Sequence, residues 1–505
     1  MIPALMIWGT SSGAGKSLLV TALCRWAARH GIDVAPFKAQ NMSNNARVVP
    51  GIAGAYREIG AAQYFQALAA RVTPSVDMNP VLLKPERDTA SQVVLHGTVA
   101  PTLSPMPWCE RSVYLAAAAR DSFARLRARH DLIVIEGAGS PAEINLAAHD
   151  YVNLDCARWA QAAGGVRSLI VTDIDRGGAF AHLYGTWALL PSDLKTTIAG
   201  FVLNRFRGDA ALLAPGPEQL QQLTQVPIVG VLPMRRDHGL PEEDGMIDAI
   251  PPLAHNTKAG LRVAVIATPR ISNLDEFAPL RKVPGLRLIW ARTANELDGA
   301  DWIILPGSKQ VSGDLRWLRA QGIDLAIVRH AAGGGAVLGI CGGLQMLGRS
   351  LADPMGFDGE RFSDLPGLGL LPLTTRFEAA KTVRPRRAHF GAVNGPWLGL
   401  RGQLADGYEI HNGQTHWHSD RHACDSDCSA GNKCAVVHDE RGEPIGWQSG
   451  SVLGVYSHGL FESPAVIHAL FGATVTTLDD SFNGLADLVD EFIDPNVLRR
   501  LLLGE

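Results

Sequence analysis

ALMIWGTSSGAGKSLLVTALCRWAARHG, residues 4–31, reads as a short apolar strand, a glycine-rich loop and a helix in immediate succession. The loop is GTSSGAGKS, from Gly9 to Ser17. Backbone N–H groups of such a loop turn inward around phosphate, and the helix N-terminus adds positive potential. Gly9, Thr10, Gly13, Gly15, Lys16 and Ser17 are therefore expected to hold a nucleotide, taken as ATP. Lys16 suits the β/γ-phosphates and the Ser17 hydroxyl suits Mg²⁺. Five residues separate Gly9 from Gly15 where the usual loop has four, so this is a variant form. The alternative, a glycine-rich turn followed by a chance Lys-Ser, does not account for the strand and helix that flank it.

Working outward, short β-branched or aliphatic runs alternate with alanine- and leucine-rich helical stretches. DLIVIEGAG, RSLIVTDID, IAGFVLNRF and PIVGVLP follow in the first half, and LRVAVIAT, LRLIWA, DWIILPG and GAVLGICGG in the second. This alternation predicts α/β architecture with two doubly wound, mostly parallel sheets. IPPLAHNTKAG, residues 250–260, is proline-bearing and aperiodic and marks a seam. The expected domains are 1–250, 251–475 and a helical tail over 476–505.

The composition is ordinary for a globular chain of 505 residues, with 46% apolar and 19% charged residues. A net charge of −4 gives no reason to expect a nucleic acid or an anionic membrane as partner. The N-terminus lacks the basic region of a signal peptide, and no run approaches a membrane span. Seven cysteines are few and odd in number, which fits reduced thiols and a cytoplasmic location.

Open parallel sheets bind ligands at the carboxyl ends of their strands. Lys38 in VAPFKAQN, Glu136 in IVIEGAGS, and Asp173, Asp175 and Arg176 in VTDIDRGG all fall at such places. Glu136 closes an apolar strand before a glycine turn and is a candidate Mg²⁺ carboxylate beside Ser17. Lys38 is a candidate nucleotide contact, with a solvated lysine as the alternative. The VTDIDRGG segment reads equally as a polar turn.

In the second half, AVLGICGGLQMLG places Cys341 between a strand and a helix with glycines on both sides, the geometry of a nucleophile elbow. The following helix N-terminus favours the thiolate. Amide chemistry on cysteine needs a base, and His458 in VLGVYSHGLFE sits at another strand end.

The loop GTSSGAGKS with PFK resembles the dethiobiotin synthetase type of phosphate-loop protein, which activates carboxylates. QNMSNN, SVDMNPVLLKP, IEGAGSPAEINL, DIDRGGAF and LPEED together resemble the cobyric acid synthase family, and they run through nearly the whole first half. Gln40-Asn41-Met42 stands where the related a,c-diamide synthases carry an aspartate. The second half is similar to class I glutamine amidotransferases. The resemblance implies that Asn204 in GFVLNRF reads adenine. It implies that the Gly307-Ser308 loop and the Gly342 N–H form an oxyanion hole, where one donor is worth roughly 3 kcal/mol. It also implies that Asp150 in INLAAHDYVN seats the substrate edge, a solvated turn aspartate being the alternative.

Amidotransferases of this type commonly show His-x-Glu. Here Leu460 holds that place, and Glu462 or no residue is left as third member. His411 in GYEIHNG resembles the family pattern and reads equally as structural. The implied reaction is amidation of the b, d, e and g carboxylates of adenosylcobyrinic acid a,c-diamide, with ATP–Mg²⁺ and glutamine consumed. A second phosphate-loop amidotransferase activity (a,c-diamide synthase or cell-wall precursor amidase) and a partitioning ATPase remain as alternatives. Cys424, Cys428 and Cys434 with His416, His418 and His422 could form a zinc shell. Their wide spacing and polar surroundings favour a plain surface insertion.

Overall fold

The structure is a computed structural model that describes residues 4–51, 54–87, 90–235, 239–240, 260–417 and 435–502. The seam at 250–259 and the cluster residues His418, His422, Cys424, Cys428 and Cys434 lie outside the described residues. The chain forms two compact units. The first comprises Met1–Ser43, Val49–Asp244 and Thr477–Glu505, and the second Asn44–Val48 and Gly245–Thr476.

The first unit is built on a six-stranded parallel sheet. Its order is Ile228–Pro233, Ile198–Phe206, Arg167–Asp173, Ala4–Gly9, Leu132–Glu136, Val34–Phe37. Alternate side chains of each strand point to opposite faces. Met6, Trp8, Ile133 and Ile135 enter one core, and Leu5, Ile7, Leu132 and Val134 the other. Both faces are covered, so the strands read as unbroken apolar runs instead of alternating ones. Helix Lys16–Arg29 lies on one face and packs against Leu478–Phe492. There Arg25 pairs with Asp479 at 2.5 Å and lies over the Phe482 ring. A Thr477 capping box starts the Leu478–Phe492 helix.

The second unit has a mixed sheet. Its parallel part runs Leu286–Ala291, Leu261–Ile266, Trp302–Leu305, Ala336–Ile340, Val452–Val455. Antiparallel strands continue from Pro444–Ser449 to the long pair Leu373–Phe390 and Leu404–Trp417. Again two cores form, with Val263, Val265 and Ile304 on one side and Ala264, Ile266 and Ile303 on the other. His416 sits in the long pair opposite Thr374. Both units are α/β and doubly wound, as the alternation of runs predicts.

Candidate active sites

In the first unit the expected nucleotide residues arrive from five adjacent strands. The Gly9–Ser17 loop follows the central strand, Lys38 and Glu136 stand at the ends of the two strands to one side, and Asp173 and Asn204 occupy the two to the other. Lys16 is buried and lies back across its own loop, donating to the carbonyls of Ser11 and Gly139, each at 3.0 Å. Ser17 Oγ donates to Glu136 Oε1 at 2.9 Å, and Lys38 Nζ donates to the same oxygen at 2.9 Å. Gln66 Nε2 reaches Glu136 Oε2 at 2.5 Å. Glu136 is thus the hub that joins Ser17 and Lys38.

Gly15 adopts φ +101°, and a Cβ there would stand 1.9 Å from Asn204 Nδ2, so only glycine fits. Asn204 is buried and donates to Ala14 O at 3.0 Å, bracing the loop from beneath. Thr10 Oγ1 meets Thr172 Oγ1 at 3.0 Å. A cavity of about 190 Å³ opens beside the loop, lined by Thr10, Ser11, Thr172, Asp173, Arg176 and His182. Asp173 accepts from Arg176 and Arg205 and is a hub for the cationic side of this cavity.

Asp150 caps the single π-turn Tyr151–Asp155, accepting from Asn153 N at 2.8 Å and Asn153 Nδ2 at 3.1 Å. Asn153 in turn bonds both the N–H and the carbonyl of Ala138. Asp150 therefore supports the loop after Glu136. Burial raises its carboxyl above the usual range despite the Asn153 bonds.

In the second unit four adjacent parallel strands deliver the glutaminase candidates. Cys341 follows Ala336–Ile340, the Gly307-Ser308 loop follows Trp302–Leu305, and His458 follows Val452–Val455. The fourth contribution, missed in the sequence, is Glu276, in the helical turn Leu274–Lys282 that follows Leu261–Ile266. Glu276 Oε1 accepts from His458 Nδ1 at 3.0 Å, and Oε2 accepts from Gly459 N at 3.0 Å. Glu462, the sequence candidate for this place, is instead paired with Arg47.

Cys341 is the residue of the elbow itself, at φ +51° and ψ −105°. Such a conformation costs a side-chain-bearing residue on the order of 1–3 kcal/mol. It is held by Cys341 N donating to Val455 O and by Gln345 N donating to Cys341 O. The sulfur lies beside the His458 imidazole and 3.6 Å from Ile410 O. Gly307 abuts the imidazole, since a Cβ there would stand 2.7 Å from His458 Cε1. A Cβ on Gly342 would stand 2.8 Å from Ser308 N, so the two expected oxyanion-hole segments meet next to the sulfur. Ser308 Oγ donates to buried Asp314 at 2.6 Å, which fixes the loop.

Burial alone would depress the His458 imidazole, but the charges of Glu276 and the Cys341 sulfur outweigh it and raise its pKa from 6.5 to about 10. Tyr408 stacks on this ring, with centroids 5.3 Å apart, and its backbone brackets His458 with two hydrogen bonds. His411 stacks on Tyr456 and bonds Gly413 O, and its Nε2 lies 3.9 Å from the Glu409 carboxylate.

A phosphate-loop α/β unit and a class I-type glutaminase unit in one chain define an ATP-using, glutamine-hydrolysing ligase. Residues 5–246 match the CobQ/CobB/MinD/ParA nucleotide binding domain, and residues 262–466 the CobB/CobQ-like glutamine amidotransferase domain. A cobyric acid synthase of Leptothrix cholodnii is 60% identical, with 99% of this chain and 97% of that protein covered. Those of Methylibium petroleiphilum and Variovorax paradoxus are each 59% identical over 99% of this chain, covering 96% and 99% of their own lengths. The chain belongs to the cobyric acid synthase family. A partitioning ATPase whose second domain only binds is thereby set aside. Among the described residues no helix is long and apolar enough to cross a membrane.

Proposed function

We propose that the protein converts adenosylcobyrinic acid a,c-diamide to adenosylcobyric acid by amidating its b, d, e and g carboxylates in cobalamin biosynthesis. The observation that carries this reading is the end-to-end similarity to cobyric acid synthases at about 60% identity. A carboxylate resists amidation because oxide is its leaving group. Phosphoryl transfer from ATP to a carboxylate oxygen gives an acyl phosphate and ADP, and phosphate can then leave. Lys16 and Lys38 supply positive charge around the transferred group. Mg²⁺ is the implied metal, and the donor set fits it. Ser17 Oγ and Glu136 Oε1 stand 2.9 Å apart. That is about the edge of an octahedron whose oxygens lie ~2.0–2.1 Å from the ion. When bound, Mg²⁺ would neutralise phosphate charge.

The second unit supplies nitrogen. The Cys341 sulfur attacks the glutamine side-chain carbonyl, and the oxyanion meets the N–H groups of Ser308 and Gly342. His458 gives its proton to the departing ammonia, leaving a glutamyl thioester. The imidazole then takes a proton from water, whose oxygen attacks the thioester and frees glutamate and the sulfur. Glu276 holds the imidazole in orientation and stabilises its charged form. Ammonia attacks the acyl phosphate, and phosphate departs.

The test is incubation with ATP, Mg²⁺, glutamine and the a,c-diamide, read by mass. Four successive one-dalton losses (hydroxyl replaced by amino), with matching ADP and glutamate, are expected. Product from a different acceptor only, such as cobyrinic acid itself, would overturn the assignment in favour of another phosphate-loop amidotransferase.

A further inference from the structure

Arg47 is almost wholly buried, 3% exposed, and belongs to the second unit through the short segment Asn44–Val48. A buried guanidinium is strongly unfavourable unless its charge and N–H groups are met. Here its charge and both terminal nitrogens are met by residues that adjoin the glutaminase candidates. Nη1 and Nη2 donate to the two carboxylate oxygens of Glu462 at 3.0 and 2.5 Å, a bidentate fork. Nη2 also pairs with Asp275, itself buried. The guanidinium carbon lies 4.9 Å from the centre of the Tyr408 ring.

Each partner is one step from the catalytic line. Asp275 precedes Glu276 on the same helical turn. Glu462 closes the turn Leu460–Glu462 that begins just after His458. Tyr408 stacks on the imidazole. The neighbours of Arg47 add a clasp on the same turn: Asn273 Oδ1 accepts from Ala46 N at 3.0 Å, and Asn45 Oδ1 accepts from Leu274 N at 3.1 Å.

Charge makes the same point. Asp275, Glu276 and Glu462 are close enough to act on one another electrostatically, and only Glu276 meets the imidazole. Arg47 answers two of them, leaving Glu276 as the acceptor dedicated to His458. Without Arg47, two uncompensated carboxylates would compete for the imidazolium or repel Glu276 from its place.

We propose that Arg47 is a positioning residue for glutamine hydrolysis: it ties the turn carrying Glu276 to the turn after His458 and neutralises the surplus carboxylates beside the imidazole. This rests on the reading of Cys341, His458 and Glu276 given above. The experiment uses the full chain and compares wild type, Arg47→Met, Arg47→Lys and Cys341→Ser. It measures glutamate release across glutamine concentrations, and amidation driven by ammonium salt. Arg47→Met should lower the glutaminase kcat by about 10²-fold, the loss expected of a misplaced catalytic group. KM for glutamine and ammonium-driven amidation should stay at wild-type values. Arg47→Lys should recover part of kcat, since an ammonium keeps the charge but not the fork.

An unchanged glutaminase kcat in Arg47→Met, or an equal fall in both activities, overturns the proposal. If Arg47→Met does not fold, Arg47→Lys decides alone: a lowered kcat at unchanged KM supports the role and a wild-type kcat refutes it. Wild-type glutaminase that persists in Cys341→Ser would instead sink the underlying reading and leave Arg47 a structural ion pair.

Discussion

Replacing Glu276 by glutamine is the sharpest perturbation the glutaminase geometry offers. The side chain keeps its size, but its two oxygens are used by two donors, His458 Nδ1 and Gly459 N, each at 3.0 Å. Glutamine has one oxygen, so its NH₂ must face one of those donors. An unmet buried donor costs on the order of 1–3 kcal/mol. The charge is lost as well. The rise of His458 from 6.5 to about 10 is net of a burial effect in the opposite direction. It corresponds to a preference for imidazolium on the order of 5 kcal/mol. Glu276 and the Cys341 sulfur share that effect. The unmet donor beside the imidazole, at the upper end of its range, is worth roughly 3 kcal/mol, or about 10²-fold in glutaminase rate. The assay is steady-state glutamate release as a function of pH, with ammonium-driven amidation as control. kcat should fall by about that factor, and its high-pH limb should move to lower pH, because the imidazole now loses its proton earlier. The control should be unchanged. Wild-type kcat with an unmoved high-pH limb would refute the role of Glu276.

Cys341→Ser should abolish glutamine-driven amidation and spare the ammonium-driven reaction, whereas Lys16→Ala and Glu136→Ala should lose both; any folded variant with the opposite pattern misassigns its site. Gly307→Ala places a methyl 2.7 Å from His458 Cε1 and 2.8 Å from Ser272 Oγ. Glutaminase kcat should drop by about 10²-fold through displacement of the ring, and a normal kcat would show that the loop yields freely. Burial raises the Asp314 carboxyl from 3.8 to about 6, against the bonds from Ser308 and Arg270. A raised acid stabilises the fold fully below its unfolded value and loses that contribution as pH climbs through the folded one. Denaturant stability should therefore fall by roughly 3 kcal/mol between about pH 4 and 6 on account of this group. Asp314→Asn should flatten that slope, and an unaltered slope would contradict it.

Much of the architecture was legible because local chemistry and fold agree. The run ALMIW is apolar at every position since its strand is covered on both faces, and GTSSGAGKS announces the loop that must follow it. Gly339 to Gly343 likewise mark the elbow, because a side-chain-bearing residue at φ +51° needs small neighbours. The candidates Lys16, Ser17, Lys38 and Glu136 converge because each stands at the carboxyl end of a strand in one parallel sheet, which sequence position alone suggests.

Glu276 was not legible for a related reason. The expected offset from histidine, His-x-Glu, assumes that the orienting acid comes from the same loop as the imidazole. In this chain that loop runs straight into Leu460–Glu462, and Glu462 is drawn to Arg47. The acid comes instead from the loop of a strand nearly two hundred residues earlier, at a position where LDEFAPL shows two acids in an otherwise apolar turn. Only one of the two faces the imidazole, and the other faces Arg47. Glu276 meets His458 and Asp275 meets Arg47, a residue far away in the sequence. Sequence spacing finds a catalytic partner when one loop carries both groups. When a parallel sheet gathers them from separate strands, the signal left in the sequence is a pair of acids in an apolar turn, such as Asp275-Glu276, and their partners are found only in three dimensions.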